Sequence, residues 1–176
     1  MSGNDDNRML SPQSSNSISD EFLTELKNTK KSAVKKKMVE DLILFLAMNP
    51  NYILSDQNFS QFEKLFDVMK TLLNENNTSF ISIELNLLKI FSNNFKRKND
   101  KIKKFFSDIL PKLFDKFYLQ NPKINQELVE LFNVIIENNL SFENFFPYIE
   151  NFTSDDEEAN YRTTLMQFIL YQIKNN

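Results

Sequence analysis

The residues with the most evident capacity for chemistry are lysines and arginines, which cluster in two places. One cluster consists of Lys30, Lys31, Lys35, Lys36 and Lys37. The other puts six positive charges into nine residues: Lys96, Arg97, Lys98, Lys101, Lys103 and Lys104. Such clusters neutralise phosphates or bind an acidic protein surface, and they also occur as plain solvated faces.

Acidic residues form two further patterns. Residues 155–158 read Asp-Asp-Glu-Glu. A divalent cation needs oxygen ligands that converge from a shaped loop, and the glycine and alternating spacing of an EF-hand are missing. We therefore interpret these four carboxylates as capping and dipole-complementing residues at a helix start. Glu127 and Glu130 share a helix face, but nothing around them predicts a catalytic pocket.

The composition excludes several classes of function. The 176 residues include no Cys and no His, which removes disulfides, thiolate chemistry, imidazole bases and the common structural zinc sites. The single glycine is Gly3, so a glycine-rich phosphate loop is excluded as well. We expect a non-enzymatic protein that uses no metal and no other cofactor.

Charge is distributed unevenly along the chain. The net charge is -3 overall, but residues 1–26 carry -4, residues 27–104 carry +7 and residues 105–176 carry -6. This pattern indicates directional electrostatics towards a charged partner. No apolar run reaches the roughly 18 residues that cross a bilayer, and the N-terminus lacks the apolar core of a signal peptide. We expect a cytoplasmic protein with no membrane partner.

The elements that position these charges are helices. Residues 1–18 are polar and predicted to be a disordered tail, in which Ser11-Pro12 leaves phosphorylation at Ser11 open. From residue 19 to 176, apolar residues recur at helical spacing in eight segments. In the last segment the apolar stripe is Tyr161, Leu165, Phe168, Ile169 and Ile173.

The eight segments group into four antiparallel pairs. The pairs begin near Asp20, Asn58, Asn99 and Ser141, and a unit of about 40 residues with two helices is typical of HEAT and armadillo repeats. The predicted fold is therefore all-α, a HEAT-like α-solenoid of about four helix pairs. A compact eight-helix bundle is the alternative.

The second and third pairs resemble those of a TOG domain, the HEAT array that binds tubulin in microtubule-polymerase and CLASP-type proteins. The segment FEKLFDVMKTLLNENNTSFISIELNLLKIFSNNF is similar to the family's second repeat, with an Asn-containing turn between its helices. The segments FFSDILPKLFDKF and INQELVELFNVIIE are similar to its third repeat, with Pro111 inside the first helix. The chain differs from the family in having no Trp and an acidic fourth turn, and it has fewer helix pairs.

The resemblance implies a flat slab whose turns within each pair form the tubulin-facing edge. The matching positions lie in turns 28–32, 75–78 and 120–123, and the predicted partner-binding residues are Lys30, Lys31, Asn76, Asn77 and Lys123. A cytoskeletal association would follow.

Two other functions remain open. A HEAT-type scaffold or adaptor would bind another protein, or a second copy of the chain, through apolar surface left bare on the last repeat. A nucleic-acid binder would use the cluster from Lys96 to Lys104.

Overall fold

The computed structural model describes residues 17–50, 52, 59–95, 100–154 and 159–175, and no strand occurs among them. The prediction of an all-α chain is confirmed. The helices are α1 (Asp20–Asn28), α2 (Ser32–Met48), α3 (Phe59–Leu72), α4 (Thr78–Asn94), α5 (Asp100–Asp115), α6 (Pro122–Asn138), α7 (Phe146–Ser154) and α8 (Ala159–Asn175), with 3-10 segments at Lys116–Leu119 and Phe142–Phe145.

Side-chain caps begin several of these helices. The Ser19 hydroxyl accepts a hydrogen bond from the Phe22 N–H at 3.1 Å. The Asn77 side chain accepts one from the Ser79 N–H at 3.0 Å and so opens α4. Asn121 does the same for α6, where Pro122 occupies the first helical position. Because Ser and Asn side chains satisfy the free N–H groups of a first helical turn, they allow a helix to start directly after a short turn.

The helices contact one another in two rows. In one row α2 packs on α4, α4 on α6 and α6 on α8; in the other, α1 packs on α3. The Phe66 ring of α3 stacks on the Phe105 ring of α5 at 4.6 Å, and Phe114 of α5 stacks on Tyr148 of α7 at 5.4 Å. These ring contacts extend the second row through α3, α5 and α7.

Phenylalanine rings fill the space between the two rows. The ring centroid of Phe91 on α4 lies 5.4 Å from that of Phe66 and 5.7 Å from that of Phe105. Phe132 of α6 lies 4.9 Å from Phe114 and 5.7 Å from Phe168 of α8. Aromatic pairs at these separations stabilise a core beyond their area burial, so the phenylalanines link neighbouring pairs into one hydrophobic core.

Polar contacts between helices follow the same order. Lys64 bonds to Asp20, 44 residues away. Lys101 bonds to Glu63 at 2.8 Å and Lys89 to Glu130 at 2.7 Å, with separations of 38 and 41 residues. Ser82 and Lys89 of α4 meet Glu127 and Glu130 of α6 in rising order, so these two helices run parallel.

The structure corrects two details of the sequence analysis and defines the end of one helix. Ile18, assigned to the tail, is buried, and its N–H donates to the Tyr52 hydroxyl at 3.0 Å, so it belongs to the helical domain. The α5 helix stops at Asp115 and a 3-10 segment carries Phe117 into the core. Ile173, predicted on the apolar stripe of the last helix, is 65% exposed. Residues 1–16, Asn58 and Asn99 lie outside the described residues.

Candidate functional site

The turn between α1 and α2 exposes two lysines. Thr29 ends α1 by donating its N–H to the Glu25 carbonyl at 2.8 Å, and α2 begins at Ser32. Lys30 and Lys31 are exposed between these helices and form no ion pair within the part of the chain that the structure describes. We call these two residues the lysine tip.

The lysine tip lies between the C-terminus of α1 and the N-terminus of α2. The N-terminus of α2 carries partial positive charge, yet its first turn contains no acidic residue and Lys31 provides no side-chain cap. Each exposed charge of the wrong sign at a helix end costs about 0.3–1 kcal/mol. The positive charge of the tip adds to that of this helix N-terminus, while the C-terminus of α1, which ends at Asn28 just before the tip, carries the opposite partial charge.

Two other members of the same cluster, Lys35 and Lys36, have carboxylate partners, whereas Lys37 is exposed like the lysine tip. Lys35 is paired with Glu75 at 2.5 Å and its side chain is largely buried. Lys36 lies 4.0 Å from Glu40, one turn along the helix. The cluster predicted from sequence thus separates into residues that stabilise the fold and residues that face solvent.

Lysines of the neighbouring helices hold the turn between α3 and α4 in place. The Lys116 ammonium donates to the Glu75 carbonyl at 2.6 Å and to the Asn76 side-chain oxygen at 3.3 Å. Lys112 donates to the Asn74 side-chain oxygen at 2.8 Å. Asn76 and Asn77 are exposed, and both also have structural roles: Asn77 caps α4, and the Asn76 side-chain oxygen accepts a hydrogen bond from Lys116.

The turn before α6 completes the described part of the edge. Gln120 adopts a left-handed conformation with φ of 50°, which normally favours glycine. Lys123 is exposed, and its ammonium lies 3.7 Å from the Glu127 carboxylate. The predicted fourth turn, residues 155–158, lies outside the described residues.

Specific contacts bring the first three turns next to one another. The Glu75 carboxylate, in the second turn, accepts a hydrogen bond from the Lys35 ammonium of α2, the helix that follows the first turn. The Glu75 backbone carbonyl accepts another from Lys116, which lies four residues before the left-handed residue of the third turn. These contacts place the turn with Asn76 and Asn77 next to the start of α2, which follows Lys30 and Lys31, and next to the segment that precedes Lys123.

The second basic cluster is largely neutralised where it is described. Lys101 pairs with Glu63 at 2.8 Å, Lys103 lies 3.8 Å from Asp100, and Lys104 pairs with Asp108 at 3.0 Å. A hydrogen bond from Lys70, assisted by Lys104, lowers the pKa of the Asp108 carboxyl below its usual value. Lys96, Arg97 and Lys98 lie outside the described residues. The described lysines lie at the opposite end of α5 from Lys112, and Lys116 follows that second end in the 3-10 segment.

The carboxylates predicted to share a face of α6 are engaged by α4. Glu127 accepts a hydrogen bond from the Ser82 hydroxyl at 2.6 Å, and Glu130 accepts one from Lys89 at 2.7 Å. That second bond lowers the pKa of Glu130. Both carboxylates therefore bridge two helices. In the described ranges, no three Asp or Glu side chains group closely enough to hold a metal ion.

A buried acid beneath the edge was missed by the sequence analysis. Glu84 of α4 is 1% exposed, and its two carboxyl oxygens have no hydrogen-bond partner among the described residues. Burial raises the pKa of Glu84 well above its usual value, against the opposing field of Lys116. The signal was present in the sequence, since Glu84 lies four residues after Phe80 and three before Leu87 on an apolar stripe.

Comparison with known proteins finds no family model, no curated protein and no solved structure that matches this chain. In the parts of the chain that the structure covers, none of the helices has the length and apolar content needed to span a membrane. The lysine tip is exposed, and the turn between α3 and α4 is held by hydrogen bonds from Lys112 and Lys116.

Proposed function

We propose that this chain is a HEAT-like α-solenoid that acts as a non-enzymatic protein-interaction module. The order of helix contacts supports the repeat arrangement, because α2, α4, α6 and α8 meet in chain order. Ion pairs between residues about one repeat apart support it too, such as Lys101 with Glu63 and Lys89 with Glu130. In a solenoid each pair buries its apolar face against its neighbours and leaves its turns along an edge.

The lysine tip is the observation that carries the function. Lys30 and Lys31 are exposed beside a helix N-terminus of the same sign, whereas the described lysines of the second cluster each lie near a carboxylate. An acidic protein surface is the partner that such a tip would attract.

The neighbouring turn favours a rigid mode of binding. Lys116, Lys112 and Lys35 hold the turn between α3 and α4 from both sides. A surface that is ordered before binding loses less conformational entropy when the partner arrives. Asn76, Asn77 and Lys123 would extend the contact along the edge from the lysine tip.

Tubulin is the partner that we propose first. The TOG-like pattern of the second and third pairs implies it, and an acidic tubulin surface would complement the lysine tip. The protein would then act in the cytoplasm in association with the cytoskeleton. Binding to another acidic protein would use the same edge and the same residues.

Charge reversal at the lysine tip, compared with charge reversal at the second basic cluster, tests the proposal. Gel filtration with soluble tubulin at low salt compares the original chain, Lys30→Glu/Lys31→Glu, and the matched control Lys103→Glu/Lys104→Glu at the other end of the helices. Exposed ion pairs contribute about 0.2–1 kcal/mol each, so reversing two lysines weakens binding by about fivefold or more. The control retains the original affinity.

Two results would overturn the assignment. Absence of a complex at low salt, where charge contacts are strongest, removes tubulin as the partner. Equal loss of binding in both variants rules out the edge as the binding site, because the association then depends on net charge rather than on the lysine tip.

A further inference from the structure

Two buried ionisable groups lie close to the turn between α3 and α4. Glu84 of α4 and Lys116 of the 3-10 segment are both buried. Neither carboxyl oxygen of Glu84 has a hydrogen-bond partner among the described residues, and Lys116 is the charged group that acts on this carboxyl most strongly. A buried polar group without a partner is rare in a native protein, so this carboxyl calls for an explanation.

The Lys116 ammonium is bonded to the turn and not to Glu84. It donates to the Glu75 carbonyl at 2.6 Å and to the Asn76 side-chain oxygen at 3.3 Å. Both of these acceptors are uncharged. Because opposite charges attract more strongly in a buried site than in water, a Glu84 carboxylate would compete with the two neutral oxygens for this ammonium.

The other cations near Glu84 already have acceptors. Lys35 of α2 is paired with the Glu75 carboxylate at 2.5 Å. Lys112 of α5 donates to the Asn74 side-chain oxygen at 2.8 Å, and it acts on Glu84 less strongly than Lys116 does. Lys116 is therefore the cation that an ionised Glu84 would attract first.

The acids on neighbouring elements are engaged elsewhere or exposed. The Glu75 carboxylate is held by Lys35, and Asp115, which acts on Lys116, is exposed. On α6, which also packs against α4, Glu127 and Glu130 are bonded to Ser82 and Lys89 of α4. Glu84 is thus the buried acid of this cluster.

We propose that ionisation of the Glu84 carboxyl loosens the turn between α3 and α4 by drawing the Lys116 ammonium away from Glu75 and Asn76. The proton leaves to solvent, and the flexible lysine stem lets the ammonium move to the carboxylate. Burial raises the pKa of Glu84, so the turn is held at acidic pH and loosened as pH rises through that pKa.

The consequence for partner binding rests on the proposed function, because Asn76 and Asn77 belong to the predicted edge. A turn held in one conformation loses less entropy when a partner binds, so the edge would bind more tightly while Glu84 is protonated. The response of the turn itself is a property of the free chain and is measured without a partner.

Nuclear magnetic resonance of the free chain between pH 5 and pH 9 tests this proposal. The side-chain carboxyl carbon of Glu84, assigned by its absence from Glu84→Gln, reports ionisation. Amide exchange at Asn74 and Glu75, whose N–H groups donate to carbonyls in the last turn of α3, reports the turn. Each rate is corrected for the intrinsic rate at that pH, and the Asn139 amide at the C-terminal end of α6 is the control for global opening.

Protection at Asn74 and Glu75 should fall about tenfold or more relative to Asn139, with the same midpoint as the Glu84 carboxyl titration. Glu84→Gln should keep high protection throughout. Glu40→Gln, at an exposed acid of α2, is the matched control and should retain the response of the original chain.

Three results would overturn the proposal. One is constant protection while Glu84 titrates, because the ammonium would then serve the carboxylate without leaving the turn. Another is a Glu84 carboxyl that does not titrate by pH 9. The third is the same loss of protection in Glu84→Gln, which would come from Lys116 losing its own proton, since burial lowers its pKa. Tubulin enters none of these measurements, so they fail or succeed separately from the proposed function.

Discussion

Replacing the ionisable carboxyl group of Glu84 with a neutral amide should stabilise the protein at neutral pH. Its carboxyl group is buried without a hydrogen-bond partner in the described structure, and burial raises its pKa despite the nearby positive charge of Lys116. Glu84→Gln keeps the size of the side chain and abolishes the ionisation. The comparison therefore isolates the free energy that links protonation of this residue to folding.

The sign and size of the effect follow from linkage. In the unfolded chain a glutamate ionises near pH 4.3, whereas the folded protein keeps Glu84 protonated to higher pH. At this residue the folded state then binds more protons than the unfolded state, so the contribution of Glu84 to stability falls as pH rises above 4.3. The loss relative to Glu84→Gln is up to about 1.4 kcal/mol per pH unit and ends at the folded-state pKa.

Urea unfolding followed by circular dichroism measures this difference between pH 4 and pH 8. Near pH 4 the original chain and Glu84→Gln should have similar free energies of unfolding, and the advantage of the variant should grow with pH. Glu40→Gln is the control, since Glu40 is exposed and lies 4.0 Å from Lys36. Its difference from the original chain should stay within about 1 kcal/mol at every pH.

The opposite pH dependence would refute this reasoning. If the original chain gained stability over Glu84→Gln as pH rose, Glu84 would be ionised in the folded protein and stabilised by Lys116. Its carboxylate would then be part of a buried ion pair, and breaking that pair by substitution would cost about 3–5 kcal/mol.

Three further predictions concern the edge and the core. Lys116→Met removes the donors to Glu75 and Asn76 and should destabilise the chain by about 1–3 kcal/mol, with faster amide exchange at residues 73–77; unchanged exchange there would contradict the bracing role. Gln120→Gly should raise the free energy of unfolding by up to about 1 kcal/mol, because glycine adopts the positive φ of residue 120 without strain; a loss in urea unfolding would contradict this. Phe132→Ala should cost about 3–5 kcal/mol, since this ring is fully buried among Phe114, Phe145 and Phe168, whereas Phe146→Ala, at a half-exposed ring, should cost less than half as much in the same assay.

Apolar periodicity predicted much of the fold, because it directly reflects which helix face is buried. The first helix ends at Asn28 and the second begins at Ser32, which are the bounds of the predicted turn at residues 28–32. Asn77 caps α4, whose first residue is Thr78. Apolar spacing does not locate the end of α5, since both an α-helix and a 3-10 segment bring Phe117 to the same core.

The site was less accessible to sequence reasoning. Composition located the lysines but could not assign their partners, which lie about 40 residues away on neighbouring helices, as for Lys35 with Glu75 and Lys101 with Glu63. Many acids at that distance could pair with a given lysine, and packing selects among them. The division between the exposed lysine tip and the neutralised second cluster therefore emerged only in three dimensions.

The stacking of consecutive helix pairs is tested most directly by zero-length cross-linking of lysines to carboxylates, read out by mass spectrometry. The account predicts cross-links between Lys64 and Asp20, Lys101 and Glu63, and Lys89 and Glu130, each joining residues 38 to 44 apart. Cross-links dominated instead by pairs from the first and fourth helix pairs would contradict it, because they would bring together the two ends that the stacked order keeps apart.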